Sequence, residues 1–275
     1  MNPILDNHCH LDSERGMGIA AVEDFSKSGG THMLIVNQHS WKDGKNPTDI
    51  ADFEERFYQT MEIVERATEI LQGRAWSVLG IHPALISRLV EGGQTAEEAG
   101  EFMCDGLNIA AGLIGKGDAI ALKSGRPHYE VSEEIWEISN EVLRHAISLA
   151  AKMGIAVQLH TETTEDLSEV SDWAMEMGLP WQKIVKHFAG GSCRGVTPSV
   201  ISRMEELERA IRNGKPFMME TDYLDDPRRP GAVLGIKTVP KRTKLLRESG
   251  HERLMEMAHV ETPKMVYGIE TKEAE

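Results

Sequence analysis

The histidines of this 275-residue chain have the side-chain type and the spacing expected of a metal-binding or catalytic site. Five of the eleven fall at or near the C-terminal end of a short apolar run that predicts a β-strand. They are His8, His10, His82, His160 and His187. The other six, with His39 and His128 among them, are scattered over predicted helices, loops and one strand start. Imidazoles gathered from several strand ends suit a transition metal such as zinc, manganese or iron.

The segment His8-Cys9-His10 is the sharpest of these signals. Residues two apart on an extended strand point the same way, so both imidazoles can face one ion while Cys9 points away. Asp6 shares that face at a deeper level. The alternative is a pair of surface histidines at the start of a helix. The buried run before His8 favours the metal site.

A carboxylate, Asp222, closes the apolar run Phe217–Asp222. A carboxylate in that position is costly unless it is paired or bound to a metal. Asp222 can complete a metal site with the first strand, or act as the base that deprotonates a metal-bound water. The alternative role is a helix N-cap or an ordinary loop residue. Glu220 lies two residues earlier on the same face, where we expect a supporting role.

Apolar runs alternate with longer helical patterns along the whole chain. The runs lack clean polar alternation, which is typical of strands buried on both faces. They are Pro3–His10, Met33–Gln38, Trp76–His82, Ala119–Lys123, Ala156–His160, Ile184–Phe188 and Phe217–Asp222. Apolar residues at helical spacing predict helices over Phe53–Leu71 and Glu133–Met153. The segment Gly195–Ser199 is the candidate for an eighth strand.

This strand-then-helix repetition predicts an α/β fold, a single (β/α)8 TIM barrel. We expect one domain over residues 1–270 and a polar C-terminal tail over residues 271–275. One barrel of this kind takes about 250 residues, which fits the length. Because chemistry in such barrels sits at the C-terminal ends of the strands, the histidines are expected to meet there.

Charge and composition exclude several other classes of protein. Acidic residues outnumber basic ones by 44 to 30, giving a formal net charge of −14, which argues against a nucleic-acid coat protein. Three distant cysteines form no disulfide framework. The first residues do not look like a signal peptide, and no run approaches the about 18 apolar residues of a membrane span. We therefore expect a cytoplasmic protein without membrane contact.

Five signals occur in an order that resembles the TatD family of metal-dependent hydrolases, within the amidohydrolase superfamily. They are His8-Cys9-His10, Gly80-Ile81-His82-Pro83, His160, His187-Phe188-Ala189-Gly190 and Glu220-Thr221-Asp222. The resemblance implies a hydrolase with one or two divalent ions (Zn, Mn, Mg or Fe) and a metal-activated hydroxide that attacks a phosphodiester. It also implies nuclease activity of the TatD-related deoxyribonuclease kind.

The resemblance assigns the ligands as well. His8, His10 and Asp222 would hold one ion, and His160 and His187 the other. The family usually has a bridging glutamate on the fourth strand, but this chain has Lys123 there. A lysine with a lowered pKa can react with carbon dioxide to give a bridging carbamate. Alternatively, a charged Lys123 binds an anionic substrate beside a single metal, or Lys123 has no role at the site.

Candidate substrate-binding groups are few. His82 would bind a phosphate oxygen or hold the hydroxide, or else only bond its neighbours. Arg126 and Arg228 lie on loops at the end of the barrel suited to anion binding. After His160 the family often has a basic residue, whereas Thr161–Asp166 is acidic here. That stretch is read first as a helix N-terminus, with Glu162 as an outer partner or a further ligand as the alternative.

The sequence thus predicts a metal-dependent hydrolase acting on a phosphoester or phosphodiester. The expected partner is a small phosphorylated substrate or a nucleic acid as substrate; the oligomeric state is not indicated. A second hypothesis is an amidohydrolase or lactonase that acts on a small acyl compound through a carbamylated lysine. A third, a metal-binding scaffold without turnover, is disfavoured because buried polar groups destabilise a barrel unless a metal satisfies them.

Overall fold

The computed structural model describes residues 2–41, 44–229 and 233–272. Within them, one parallel sheet contains nine strands. These are Leu5–His10 (β1), His32–Val36 (β2), Ala75–Gly80 (β3), Ala121–Gly125 (β4), Ala156–His160 (β5), Ile184–Ala189 (β6), Thr197–Ile201 (β7), Met218–Glu220 (β8) and Tyr223–Leu224 (β9).

The sheet curls round so that its last strands meet its first. The strand order is β8-β7-β6-β5-β4-β3-β2-β1-β9, so β8 pairs with β7 while β9 pairs with β1. Only two residues, Thr221 and Asp222, separate β8 from β9. The Asp222 amide donates to the carbonyl of His8 at 3.0 Å. One chain segment therefore bridges the two edges and closes the barrel.

Helices pack outside this sheet. They are Ile19–Lys27 (α1), Ile50–Ile70 (α2), Leu85–Glu91 (α3), Ala96–Lys116 (α4), Glu133–Met153 (α5), Ser168–Glu176 (α6), Met204–Asn213 (α7), Thr238–Glu248 (α8), Glu252–Glu256 (α9) and Thr262–Tyr267 (α10). The largest apolar cluster lies between the sheet and helices α2, α4 and α5, and includes Phe53, Leu107 and Val142. This core fixes the strand ends that carry the site.

The sequence predicted these elements closely. The helix expected over Glu133–Met153 has those bounds, because Ser132 caps its start and Gly154 takes the left-handed conformation at its end. The eighth strand, expected at Gly195–Ser199, is β7, shifted by two residues. The last predicted strand, Phe217–Asp222, is shorter in the structure, where it is β8, and the following strand β9 lies beyond the predicted range.

One unit of the repeat is incomplete. Between β6 and β7 the chain has seven residues, 190–196, and they form no helix. Such a connection is too short for a complete crossover helix. The place of the missing helix is a cavity of about 650 Å³ outside the barrel, lined by Trp181, Val196 and Phe217 among others. The fold is thus a TIM barrel that lacks one of its outer helices.

The C-terminal residues are partly bound to the barrel. The domain was expected to end at residue 270, yet Thr271 is buried and its hydroxyl donates to the carbonyl of His259 at 2.8 Å. Residues 273–275 of the expected tail lie outside the described residues.

Among the helices of the described chain, none combines the length and apolar character needed to cross a bilayer.

Candidate metal centre

The rings of His8 and His10 converge at the end of β1. Their Nε2 atoms are 3.2 Å apart. His10 Nδ1 donates to two carbonyls, of Val36 at 3.0 Å and Asn37 at 3.1 Å. These bonds place its proton on Nδ1, so Nε2 presents a lone pair. The expectation that both rings face one point is met in the structure.

His8 is oriented by Gln158, a residue that the sequence analysis did not identify. Gln158 Nε2 donates to the Asn7 carbonyl at 3.0 Å and to the Tyr267 hydroxyl at 2.9 Å. Its Oε1 therefore faces His8 Nδ1, 2.6 Å away, and accepts that proton. Gln158 lies two residues before His160 in an apolar strand, so strand alternation was the available signal.

Two lone pairs at 3.2 Å repel each other unless a cation or a proton lies between them. The donor set of His8 and His10 therefore fits a metal ion. His8, His10 and Asp222 offer ligand atoms that all lie within 4.8 Å of one another, as do His8, His187 and Glu220. Imidazole and carboxylate ligands of this kind suit a divalent transition metal.

Asp222 is held in an uncommon backbone conformation. Its φ is 50°, and the other described non-glycine residue with positive φ is Phe188, at 51°, directly after His187. Such conformations cost about 1–3 kcal/mol and cluster at functional sites. Asp222 Oδ1 lies 3.9 Å from His8 Nε2. Burial raises the pKa of the Asp222 carboxyl, and the nearby Lys123 opposes that rise.

Lys123 projects into the same group of side chains. Its Nζ lies 3.1 Å from His8 Nε2, and the residue is 3% exposed. Burial lowers the pKa of the Lys123 amine, against the attraction of Asp222 and Glu220. A positively charged ammonium in this position would oppose a bound cation. A neutral or modified lysine is compatible with one.

His160 and His187 form the second half of the site. His160 Nδ1 and His187 Nε2 are 2.9 Å apart. His187 Nδ1 donates to Glu220 Oε1 at 3.1 Å. Glu220 also accepts from the Phe188 amide at 2.6 Å and from the Ser199 hydroxyl. Glu220 thus orients a histidine, which is the supporting role that the sequence indicated.

His82 presents a donor rather than an acceptor. Its Nδ1 accepts from the Ala84 amide at 3.2 Å, so the proton of the neutral ring is on Nε2. The ring lies 4.3 Å from that of His160 and 4.7 Å from that of His39, measured between centroids. This tautomer suits a hydrogen bond to a substrate oxygen better than metal ligation.

Two histidines that the sequence did not place at strand ends, His39 and His128, also line the site. His39 lies against His10 and His82, with centroids 6.2 and 4.7 Å away. His128 Nδ1 is 2.8 Å from His160 Nε2. Both follow strands, on loops after β2 and β4, where no periodic pattern exists to mark them.

A cavity of about 230 Å³, here called the metal cavity, lies between these strand ends and loops. It is lined by His10, His39, His82, Lys123, His128, His160, His187, Asp222, Leu224, Arg229 and Val233. Burial is the main reason that the pKa of three of these imidazoles is lowered, to about 3 for His10, about 2 for His160 and about 4 for His39. Neutral imidazoles are the form that binds metals.

Arg126, expected to bind substrate, is instead engaged inside the protein. Its guanidinium donates to both oxygens of Glu162, at 2.9 and 2.6 Å, and to Asn140 at 2.9 Å. It also lies over the Trp136 ring, 4.6 Å from the centroid. The residue is 5% exposed. The acidic Glu162 after β5 is thus the partner of Arg126.

Of the two arginines after the last strand, Arg228 and Arg229, it is Arg229 that lines the metal cavity. Arg228 is exposed and donates to Asp226 at 3.1 Å. The loop indicated by the sequence thus borders the metal cavity, but through Arg229 rather than Arg228.

Comparison with known proteins decides the family. A family model described as TatD related DNase matches residues 5–265. This chain belongs to the TatD family. The match covers every candidate site residue, from His8 to Arg228. With the ligand groups above, this TatD-family chain is a metal-dependent hydrolase.

This chain is also similar to one protein in sequence and to solved structures in fold. An uncharacterised protein of Methanocaldococcus jannaschii is 37% identical over 281 residues, which cover 98% of this chain and 96% of that protein. A solved TatD-like protein of Archaeoglobus fulgidus has a TM-score of 0.63 at 16% identity, covering 96% of this chain and all of that one (100%). An organophosphorus hydrolase of Deinococcus radiodurans has a TM-score of 0.64 at 14% identity, covering 98% and 93%. The two structures share the fold.

Proposed function

We propose that this hydrolase cleaves a phosphoester or phosphodiester at a two-ion centre bridged by a carbamate on Lys123. The observation that carries the proposal is the position of Lys123 Nζ, 3.1 Å from His8 Nε2 and buried among the ligands. A lysine is unsuited to that position as an ammonium, since no counter-charge lies in hydrogen-bond contact with it among the described residues.

The carbamate forms without any other reagent than carbon dioxide. The neutral Lys123 amine attacks the carbon of CO₂, an N–C bond forms, one C=O π-bond breaks, and the nitrogen releases one proton to water. Burial favours the neutral amine, because it lowers the pKa of Lys123. The product is a carboxylate, the group to which divalent ions bind in relatives with a glutamate at this strand.

His8, His10 and Asp222 would hold one divalent ion, and His160 and His187 a second, with zinc, manganese, magnesium and iron as the candidates. Such ions lower the pKa of water and polarise the bond under attack. The chain supplies the rest. Asp222 accepts the proton of the attacking water, and His82 Nε2–H donates to a substrate oxygen. Arg229 contributes positive charge beside Asp222.

A second candidate is hydrolysis of a small lactone or amide. Burial lowers the pKa of His10, His82 and His160, so that these imidazoles are neutral, and Leu224 and Val233 line the same cavity, which suits an uncharged acyl group. A carbamylated Lys123 would serve this reaction equally well. Activity on lactones with none on phosphodiesters would replace the first proposal by the second.

Two further expectations remain proposals. We infer a substrate of small-molecule or short nucleic-acid size, which the net charge of −14 supports over stable binding of long nucleic acid. We also infer a cytoplasmic location, supported by three free cysteines, which are typical of reducing compartments.

The first test is metal content. Protein purified with bicarbonate should contain two ions per chain by elemental analysis, and ¹³C-bicarbonate should give a carbamate signal by NMR. Lys123→Glu should hold two ions without bicarbonate, because glutamate supplies the bridging carboxylate. One ion or fewer in the bicarbonate-treated wild type would refute the carbamate bridge.

The second test is substrate class. Wild type is assayed on bis(p-nitrophenyl) phosphate, p-nitrophenyl phosphate and simple lactones. His10→Ala should lose metal and activity, whereas His145→Ala, which removes a histidine from an outer helix, should retain both. Full activity in His10→Ala would refute the metal assignment.

A further inference from the structure

A second cavity opens beside the metal cavity. It has a volume of about 500 Å³ and shares Leu224, His39 and Arg229 with the metal cavity. We call it the rim cavity. Its other walls come from the β1–α1 loop, the β2–α2 loop, helices α2 and α3 and the loop after β9, and include Asp12, Trp41, Arg88 and Asp225. The two cavities are therefore adjacent.

Arginines are concentrated in the rim cavity although the chain as a whole is acidic. The five that line it are Arg15, Arg56, Arg88, Arg228 and Arg229. The planar guanidinium binds phosphate and carboxylate groups through paired hydrogen bonds. In a chain with a net charge of −14, this concentration marks a place for an anion.

The carboxylates of the rim cavity have local partners. Asp225 is 3% exposed and accepts from the amides of Asp12 at 3.1 Å, Met17 at 2.7 Å and Gly18 at 2.7 Å. Asp226 pairs with Arg228 at 3.1 Å. These bonds hold the loops together and occupy the carboxylate oxygens. Among the described residues, no carboxylate forms an ion pair with Arg88 or Arg229.

Arg88 is held in a fixed position. Its Nε donates to Asn46 Oδ1 at 2.9 Å, and its Nη2 donates to the carbonyl of Gly44 at 2.8 Å. Its guanidinium also lies over the Trp41 ring, 5.0 Å from the centroid. The Trp41 ring also contacts the ring of His39, with the two centroids 4.4 Å apart. Trp41 therefore positions Arg88 and His39, rather than standing free to stack on a nucleic-acid base.

Arg229 joins the two cavities. Its charge favours the ionised form of Asp222 and disfavours protonated His39. In the described part of the chain, no hydrogen bond or ion pair engages its side chain. An exposed guanidinium between a metal centre and a cationic cavity is suited to bind an anion that spans both.

We infer that the substrate is a small molecule with a second anionic group, a phosphate or a carboxylate, which binds to Arg88 and Arg229 in the rim cavity. This inference rests on the proposed hydrolysis for the identity of the first group. The volumes of about 500 and 230 Å³ are those of small-molecule sites. An extended nucleic acid would require a longer cationic track with free aromatic rings.

The decisive experiment is titration of the metal-free chain with inorganic phosphate and, separately, with acetate, by calorimetry. Wild type should bind one phosphate. Arg88→Gln and Arg229→Gln should each weaken binding about tenfold or more, as expected when a charged hydrogen-bonding group is lost. Arg88→Lys, which keeps the charge, tests whether a weak Arg88→Gln variant is merely misfolded, because it should recover part of the affinity. Arg212→Gln, an exposed arginine on α7, is the matched control and should bind as wild type.

The Arg88 variant is the more informative one. Arg88 lines the rim cavity alone, whereas Arg229 lines both cavities, so a loss of binding in Arg229→Gln could come from either. Wild-type affinity in Arg88→Gln, or no phosphate binding in wild type, would overturn the inference. Tighter binding of acetate than of phosphate would identify the second group as a carboxylate, and the reverse as a phosphate; both support the subsite.

Kinetics of the metal-loaded enzyme separates this inference from the proposed function. Two p-nitrophenyl phosphodiesters are compared, one with a neutral second ester group and one whose second group carries a further phosphate or carboxylate. The doubly anionic substrate should have the higher kcat/KM, and Arg88→Gln should reduce that preference. If neither is hydrolysed, the proposed function fails while the phosphate titration still decides the subsite. A single-stranded oligonucleotide that binds more tightly than the doubly anionic compounds, and depends on Arg88, would overturn the small-molecule assignment.

Discussion

Replacing Gln158 with methionine would isolate the contact that orients His8. Gln158 is fully buried, and its amide makes three bonds, to His8 Nδ1, the Asn7 carbonyl and the Tyr267 hydroxyl. Methionine has a similar volume without these bonds. The substitution thus removes the acceptor that holds the His8 proton on Nδ1 and its lone pair on Nε2.

The structure sets the expected magnitudes. Three buried bonds at about 1 kcal/mol each predict a loss of about 3 kcal/mol in the unfolding free energy of the metal-free chain. Removing a partner that orients a metal-binding histidine typically costs 10- to 100-fold in affinity, or about 1.4–2.7 kcal/mol. The two losses are separate, because the second is measured on folded protein.

The assay is competition for Zn²⁺ with a chromophoric chelator, on protein shown to be folded by circular dichroism, with urea unfolding for stability. Gln158→Glu is the informative partner variant. Its carboxylate still accepts from His8, so metal affinity should stay within about threefold of wild type although a buried charge lowers stability. Gln94→Met, on the surface, should change neither quantity.

Wild-type affinity in folded Gln158→Met would refute the reasoning, because His8 would then keep its orientation without Gln158. Equal loss of affinity in Gln158→Met and Gln158→Glu would refute it as well. The loss would then follow from disturbed packing rather than from the missing acceptor.

Three other expectations concern stability. Arg126→Met should lower the unfolding free energy in urea by about 3 kcal/mol, since it leaves Glu162 without the partner of a largely buried pair; unchanged stability with a raised KM would show instead that Arg126 binds substrate. Burial lowers the pKa of His259 from 6.5 to about 3. Below pH 6.5 the unfolded chain therefore binds a proton at this residue that the folded chain does not bind. The unfolding free energy consequently falls as the pH falls from 6.5 towards 3. His259→Gln should remove about 2 kcal/mol of the loss between pH 6.5 and about pH 4.5, seen as a shallower pH dependence of the urea midpoint, and an unchanged slope would contradict this. Asp225→Asn should cost about 2 kcal/mol and speed proteolysis within residues 12–18, because three amides lose a charged acceptor; equal proteolysis rates would show that the loop is held by other contacts.

The proposed ligands could be identified from the sequence because they follow the periodicity of strands. Residues at spacing two share a face, and so His8 and His10 predicted each other's direction. The same rule would have found Gln158, two residues before His160. His39 and His128 could not be found in this way, because loop residues after a strand have no period and their direction depends on tertiary contacts.

Arg126 shows the limit of position as evidence. Its place after the fourth strand was identified correctly, but its direction depends on Glu162 and Trp136, which lie on other elements. Arg228 and Arg229 show a similar limit, because adjacent loop residues point differently and only the tertiary structure distinguishes them. Likewise, no residue pattern marks the absence of a helix between β6 and β7. Only the shortness of the connection between these two strands indicates it.

The bridge between the edges of the sheet has a consequence for the order of folding. Thr221 bonds to Asp6 across 215 residues of chain, and Asp222 joins the site from the same segment. Contacts so distant in sequence form late, because the closure of a long loop must precede them. A nascent chain lacking this segment would have the histidines of the site but not the complete set of proposed ligands. Metal uptake would therefore follow synthesis of the last strand, and a bound ion would then hold the newly closed barrel shut.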